Sequence, residues 1–288
     1  MRLAVTGATG ELGGRVAARL AELGIAQRLV VRDPGRAPRL AGADVAQASG
    51  YGAGEELRRA LEGADTLFLV SAGEAEDRVA LHLSAVDAAV AAGVSRIVYT
   101  SFLAAATDAT FTLARDHHAT EERIRASGVA FTFLRSSLYL DLIPLWVSPA
   151  GEIRGPAGDG RVAAVAREQI ADVAVAVLTS GGHDGLTYDV TGREAFTLAA
   201  AAAELEAITG RQIVFIDETL EEARASRAGY GAPDWGVEGW VSSYAAIGAG
   251  ELDVISDVVP RLTGRDPLTL AEWVRGHPES VAHLSPNG

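Results

Sequence analysis

Apolar positions along the chain follow two alternating periods. Residues 2–6 are a short apolar run, and 11–23 then place Leu12, Val16, Leu20 and Leu23 on one helical face before Gly24 stops the pattern. The alternation repeats: strands are expected at 27–31, 43–46, 66–70, 96–100 and 129–134, and helices at 54–61, 77–92 and 116–126, ended by Gly93 and by Ser127-Gly128. The strands are nearly continuously apolar, as strands covered on both faces are. This order predicts an α/β fold with a Rossmann-type, doubly wound parallel sheet. Right-handed crossovers then gather the loops after each strand along one edge, where ligands bind.

After about Pro149 the pattern changes, and Gly and Pro cluster over 151–160. Helices are expected at 168–178, 198–208 and 219–228, and short strands at 186–190 and 212–216. The expected division is 1–150 as the main domain and 151–288 as a smaller α/β lobe, which has the option of returning a strand to the main sheet. From about His277 the chain reads as a loose tail. The opening residues run directly into a strand and turn, so no signal peptide is expected, and no apolar run reaches the ~18 residues of a membrane-spanning helix.

Composition narrows the chemistry. The 288 residues carry 25 basic and 38 acidic side chains, a net charge of −13, and every basic residue is Arg. Without Lys, a Schiff base, a P-loop lysine and the Tyr-x-x-x-Lys dyad of common short-chain dehydrogenases are all excluded. The acidity disfavours nucleic acid and anionic membranes as partners. The absence of Cys excludes disulfides, thiolate metal sites and a Cys nucleophile, and is compatible with a cytoplasmic location.

The sharpest motif is Gly7-Ala8-Thr9-Gly10-Glu11-Leu12-Gly13, directly after the first strand. Gly7 suits the tight turn, Gly10 lets the backbone approach a pyrophosphate, and Gly13 lets the helix pack close to the strand. The helix N-terminus offers free N–H groups and the positive end of its dipole. The second strand ends at Val31 and is followed by Arg32, where NAD-binding chains carry an acid for the ribose 2′-hydroxyl. An Arg here suits a 2′-phosphate, so NADPH is the expected cofactor; the alternative is a surface Arg paired with Asp33.

Three stretches carry a family resemblance: Thr6-Gly7-Ala8-Thr9-Gly10-Glu11-Leu12-Gly13, Val31-Arg32-Asp33-Pro34, and the run from Ala91 through Gly93-Val94 to Tyr99-Thr100-Ser101. They resemble the NmrA-like family of atypical short-chain dehydrogenases, most of all its NADPH-dependent quinone oxidoreductase type. Leu134-Arg135, Tyr139, Ala157-Gly158-Asp159-Gly160 and Thr269-Leu270-Ala271-Glu272 extend the match over nearly the whole chain. The resemblance implies a Rossmann-type domain, a small C-terminal lobe and a cleft between them. It also implies cofactor contacts from Gly7, Ala8, Thr9, Gly10, Glu11, Leu12, Arg32, Ser71, Ala72, Gly73, Ser136 and Ser137. Relatives usually carry Asp after the third strand, where this chain has Gln47-Ala48-Ser49-Gly50, so an adenine contact there is not implied.

His117 resembles the position of the catalytic Tyr in ordinary short-chain dehydrogenases, and Glu121 that of the Lys. A His and Glu one turn apart can pair, raising the His pKa and making His117 a proton donor; the competing reading is a solvated helix face. His117, His118 and Glu121 do not converge readily on a metal, and no metal is expected. Tyr139, just past the sixth strand at the expected ligand edge, lines the pocket or donates a proton; the competing reading is a core or lid aromatic. Thr100 and Ser101 end the fifth strand, beside the nicotinamide or as caps. Hydride transfer to a quinone yields a stabilised anion, so a strong general acid is less necessary. The leading reading is an NADPH-dependent oxidoreductase that reduces a quinone or related planar aromatic carbonyl by direct hydride transfer. The alternative is an NADP-sensing regulator that binds a protein partner without turnover. Homodimerisation stays open.

Overall fold

The structure, a computed structural model, describes residues 2–284. The elements run β1 (Leu3–Thr6), α1 (Glu11–Glu22), β2 (Gln27–Val31), β3 (Ala43–Gln47), α2 (Gly54–Leu61), β4 (Thr66–Leu69), α3 (Arg78–Ala91), β5 (Arg96–Phe102), α4 (Thr112–Ser127), β6 (Ala130–Ser136) and α5 (Arg167–Thr179). Seven strands form one sheet in the order β3-β2-β1-β4-β5-β6, with Leu186–Val190 beside β6 at its edge. The pairs β1–β2, β1–β4, β2–β3 and β4–β5 are all parallel. The chain leaves β1 toward β2 on one side and later places β4 on the other. That reversal is the topological switch point of a doubly wound sheet, and it opens a crevice at the carboxyl ends of β1 and β4.

Two compact units make up the chain. One comprises Met1–Thr107, Asp116–Arg135 and Glu168–Tyr188; the other comprises Asp108–Arg115, Ser136–Arg167 and Asp189–Gly288. In the first, β1 and β4 are buried along their whole length, as their apolar runs require. Leu57, Leu61, Val86, Ile97, Tyr99 and Phe133 belong to one core cluster that joins α2 and α3 to the sheet. Each fully buried Leu or Val there contributes about 1.5–3 kcal/mol relative to exposure. α1 packs through Leu12, Val16 and Leu20, but Leu23 is 59% exposed. Leu23 is the C-cap and lies outside the helical stripe, which corrects the periodicity at that end.

The second unit contains the parallel strands Glu152–Gly155 and Val214–Asp217, the antiparallel pair Arg161–Val162 and Phe196–Thr197, and five α-helices among the described residues. The longest helix, Asp234–Gly248, went unread in the sequence, and the Gly- and Pro-rich stretch holds the strand Glu152–Gly155. α4 begins at Thr112, four residues before the expected start. The expected loose tail is ordered through Pro278–Leu284, where Leu284 is buried and His283 donates to the Pro144 carbonyl at 3.1 Å. Residues 285–288 of that tail lie outside the described residues. No helix among the described residues is long and apolar enough to cross a membrane.

Candidate functional site

The glycine turn is required by its geometry. Gly7 has a φ of +66°, where an L side chain is strained. A Cβ on Gly13 would stand 2.4 Å from the Gly7 carbonyl oxygen and 2.8 Å from that of Thr6, so any side chain would push α1 off β1. α1 starts at an N-cap, Gly10, that has no side chain to cap the first turn. Its leading N–H groups therefore point outward with no protein acceptor from the cap, a ready anion seat. The carboxyl ends of β1 and β4 are joined by side chains. Thr6 Oγ1 donates to the Phe68 carbonyl and accepts from the Val70 N–H at 3.0 Å, while the Tyr51 hydroxyl donates to Thr6 Oγ1 at 2.8 Å. Burial raises the Tyr51 phenol to about 12, so it stays a neutral donor.

These elements surround a cavity of about 730 Å³. Gly7, Thr9, Gly10, Glu11 and Leu12 line it from the first turn, Arg32 from the end of β2, and Ser71, Ala72 and Gly73 from the loop after β4. Ala8 is buried instead, at 2% exposure. Ala48, Ser49 and Gly50 also line the cavity, although they replace the acid that relatives carry there. Arg32 does not pair with Asp33, because Asp33 Oδ1 caps the following turn by accepting from the Gly35 N–H at 2.9 Å. Arg36, four residues on, lines the same cavity and was not singled out in the sequence. Among the described residues neither guanidinium makes a hydrogen bond or an ion pair. Two exposed guanidiniums at the end of β2, an uncapped helix N-terminus and a turn closed to any Cβ fit a dinucleotide that carries an additional phosphate on its ribose.

His117 lies neither on a solvated face nor against Glu121. It is 6% exposed, and its Nε2 accepts from Arg78 Nη2 at 2.9 Å while its Nδ1 meets the Tyr99 hydroxyl at 2.8 Å. Burial, reinforced by Arg78, His82 and Arg135, holds its pKa well below the ordinary histidine value; the expected rise is thus reversed. Glu121 is engaged elsewhere. Its fully buried carboxylate accepts from Arg135 at 2.6 and 2.8 Å, from Arg125 at 3.1 Å and from Ser101 at 2.6 Å. An Arg pair satisfies a buried carboxylate more fully than a histidine across one helical turn can.

Ser136, Ser137 and Tyr139 belong to the second unit. Both serines are buried, and among the described residues Ser137 Oγ has no hydrogen-bond partner. Tyr139 is half-buried and bridges to Val165, with the Arg167 guanidinium 4.6 Å from its ring centroid. That guanidinium is held in turn by Asp141.

Known proteins resemble this chain over most of its length. A family described as NAD(P)H-binding matches residues 7–181. Quinone oxidoreductase 2 of Escherichia coli is 36% identical over 98% of each chain, and the NAD(P)H azoreductase of Xenophilus azovorans is 31% identical over 95% of this chain and 96% of its own. The solved NADPH-dependent quinone oxidoreductase of Escherichia coli, complexed with NADPH, superposes with a TM-score of 0.86 at 33% identity, covering 98% of this chain and 99% of that one.

Proposed function

The chain belongs to the NAD(P)H-binding family, and from that premise we propose that it is an NADPH-dependent oxidoreductase that reduces a quinone or related planar aromatic carbonyl by direct hydride transfer. The observation that carries this reading is the pair Arg32 and Arg36, unpaired among the described residues, on the same cavity as the glycine turn. NADPH, when bound, supplies the hydride. The first turn of α1 holds the pyrophosphate on its free N–H groups. Arg32 and Arg36 take the 2′-phosphate by charge-assisted hydrogen bonds, and the loop at 71–73 forms the rim.

Of the two candidate proton donors, His117 is unsuited. Its Nε2 faces a guanidinium that can only donate, and burial disfavours its charged form. Tyr139 remains, as a donor or as a wall for a planar ring. The demand on it is modest, since the reduced quinone leaves as a stabilised anion that solvent can protonate. The relatives named as quinone oxidoreductase and azoreductase support a planar conjugated acceptor.

The test is NADPH oxidation with a panel of quinones, run beside titrations with NADPH and NADP. Turnover with a quinone, at a rate set by quinone concentration, supports the enzyme. Tight binding with distinct affinities for the two redox forms and no turnover would establish a sensor instead.

A further inference from the structure

The loop between β4 and α3 rims the cavity with Ser71, Ala72 and Gly73, short residues with little means of fixing their own backbone. Helix and strand side chains behind the loop do so. The Ala72 N–H donates to His82 Nε2 at 2.8 Å, and the Ala72 carbonyl accepts from Arg78 Nε at 3.0 Å. The Ser71 N–H donates to Thr100 Oγ1 at 2.7 Å. Arg78 and His82 sit one turn apart on α3, so both face the loop, and both are buried, at 4% and 0% exposure.

The chemistry behind the pair fixes its protonation. A backbone N–H can only donate, so His82 Nε2 must carry a lone pair and Nδ1 the proton. Nδ1–H then finds Thr120 Oγ1 at 2.9 Å, and the Thr120 hydroxyl donates to the Asp116 backbone carbonyl at 2.8 Å. Arg78 is held likewise, by Asp116 Oδ2 at 3.3 Å and His117 Nε2 at 2.9 Å. The Ala72 peptide is thus gripped on both sides by side chains that α4 orients.

We propose that His82, with Arg78 beside it, is a positioning residue for the dinucleotide: the pair fixes the Ala72 peptide and with it the cavity rim against which the cofactor seats. This rests on the dinucleotide reading above. A network serving only the core would leave cofactor affinity unchanged when its acceptor is removed. A positioning role would not, because an unpaired Ala72 N–H turns toward water and carries the rim with it.

His82→Phe keeps a planar ring and deletes the acceptor, while His82→Gln returns an amide oxygen near the place of Nε2. Thr120→Val is milder: it removes the nearer partner of Nδ1 and leaves the Tyr99 hydroxyl at 3.3 Å. Val86→Ala, one turn further along α3 in the core, destabilises the fold without touching the loop. The readouts are NADPH titration and amide hydrogen exchange at Ala72. His82→Phe is expected to raise the NADPH Kd about tenfold and to speed Ala72 exchange, Thr120→Val to raise the Kd about threefold, and His82→Gln and Val86→Ala to stay within about twofold of wild type. Unchanged affinity in His82→Phe, or in Thr120→Val should His82→Phe not fold, overturns the positioning role while wild type still binds NADPH. An equal loss in Val86→Ala also overturns it. Wild-type protein that binds no NADPH overturns the dinucleotide reading itself, and the positioning role with it.

Discussion

Arg78 donates to His117 Nε2 at 2.9 Å, and this one contact reverses the role that spacing suggested for the histidine. Because a guanidinium cannot accept, His117 is a neutral ring with its proton on Nδ1, facing the Tyr99 hydroxyl. Its neighbour His82 is constrained in the same way by the Ala72 N–H.

Two buried neutral histidines give the protein an acid-sensitive stability. Burial first, and Arg78 second, lower His82 from 6.5 to about 3. Between those values the unfolded chain binds a proton that the folded chain refuses, so stability rises with pH and falls on acidification. Urea unfolding between pH 7 and pH 4 is expected to lose up to about 1.4 kcal/mol per pH unit for each such histidine, and His82→Gln is expected to flatten the profile. A profile unchanged by that substitution would count against the neutral assignment.

Gly13→Ala places a methyl group where 2.4 Å separates the Cβ from the Gly7 carbonyl oxygen. The helix must move away from β1, at a cost of about 2 kcal/mol, and the anion seat moves with it. Denaturant unfolding and NADPH titration check both effects. Loss of stability with unaltered NADPH affinity would separate the glycine from the cofactor.

Glu121→Ala leaves Arg135 and Ser101 around an empty site in the core. The loss is expected to be about 3 kcal/mol in chemical denaturation, at the lower end for a broken buried pair because Arg125 and Arg135 are partly solvated. With no group supplied to the reaction, Glu121 affects turnover only through stability, so kcat measured well below the melting temperature stays near wild type.

Much of the first half was legible because β1 and β4 are short runs buried along their length and its helices are followed by glycines. β2 and α2 match the sequence reading residue for residue. The glycine turn was legible for a related reason: its function is backbone geometry, which leaves a mark in residue identity. The helix Asp234–Gly248 left no such mark. Gly236 and Gly239 lower its propensity, and Val241, Ser242, Tyr244, Ala246 and Ile247 are buried on different sides of it, so its buried residues do not form a single apolar stripe. The partners of His117 were also hidden. Arg78 lies 39 positions away, and only the packing of α3 beside α4 brings the two together. Arg36 could have been found as a second Arg four residues beyond Arg32 in the turn after β2.

Arg32→Ala and Arg36→Ala each remove one exposed guanidinium from the cavity. Each is expected to weaken NADPH binding about tenfold, the usual worth of a charge-assisted hydrogen bond, while NADH binding changes less than about twofold. Equal losses for both nucleotides would assign the arginines to the shared part of the cofactor.

Reduction of a planar quinone at the expense of NADPH is read directly from kcat/KM with NADPH and with NADH, using one quinone acceptor. Wild type is expected to turn over and to favour NADPH by at least about tenfold, a preference that the Arg32→Ala, Arg36→Ala double variant abolishes. Absence of quinone-dependent oxidation of either nucleotide would show that the protein is not a quinone reductase.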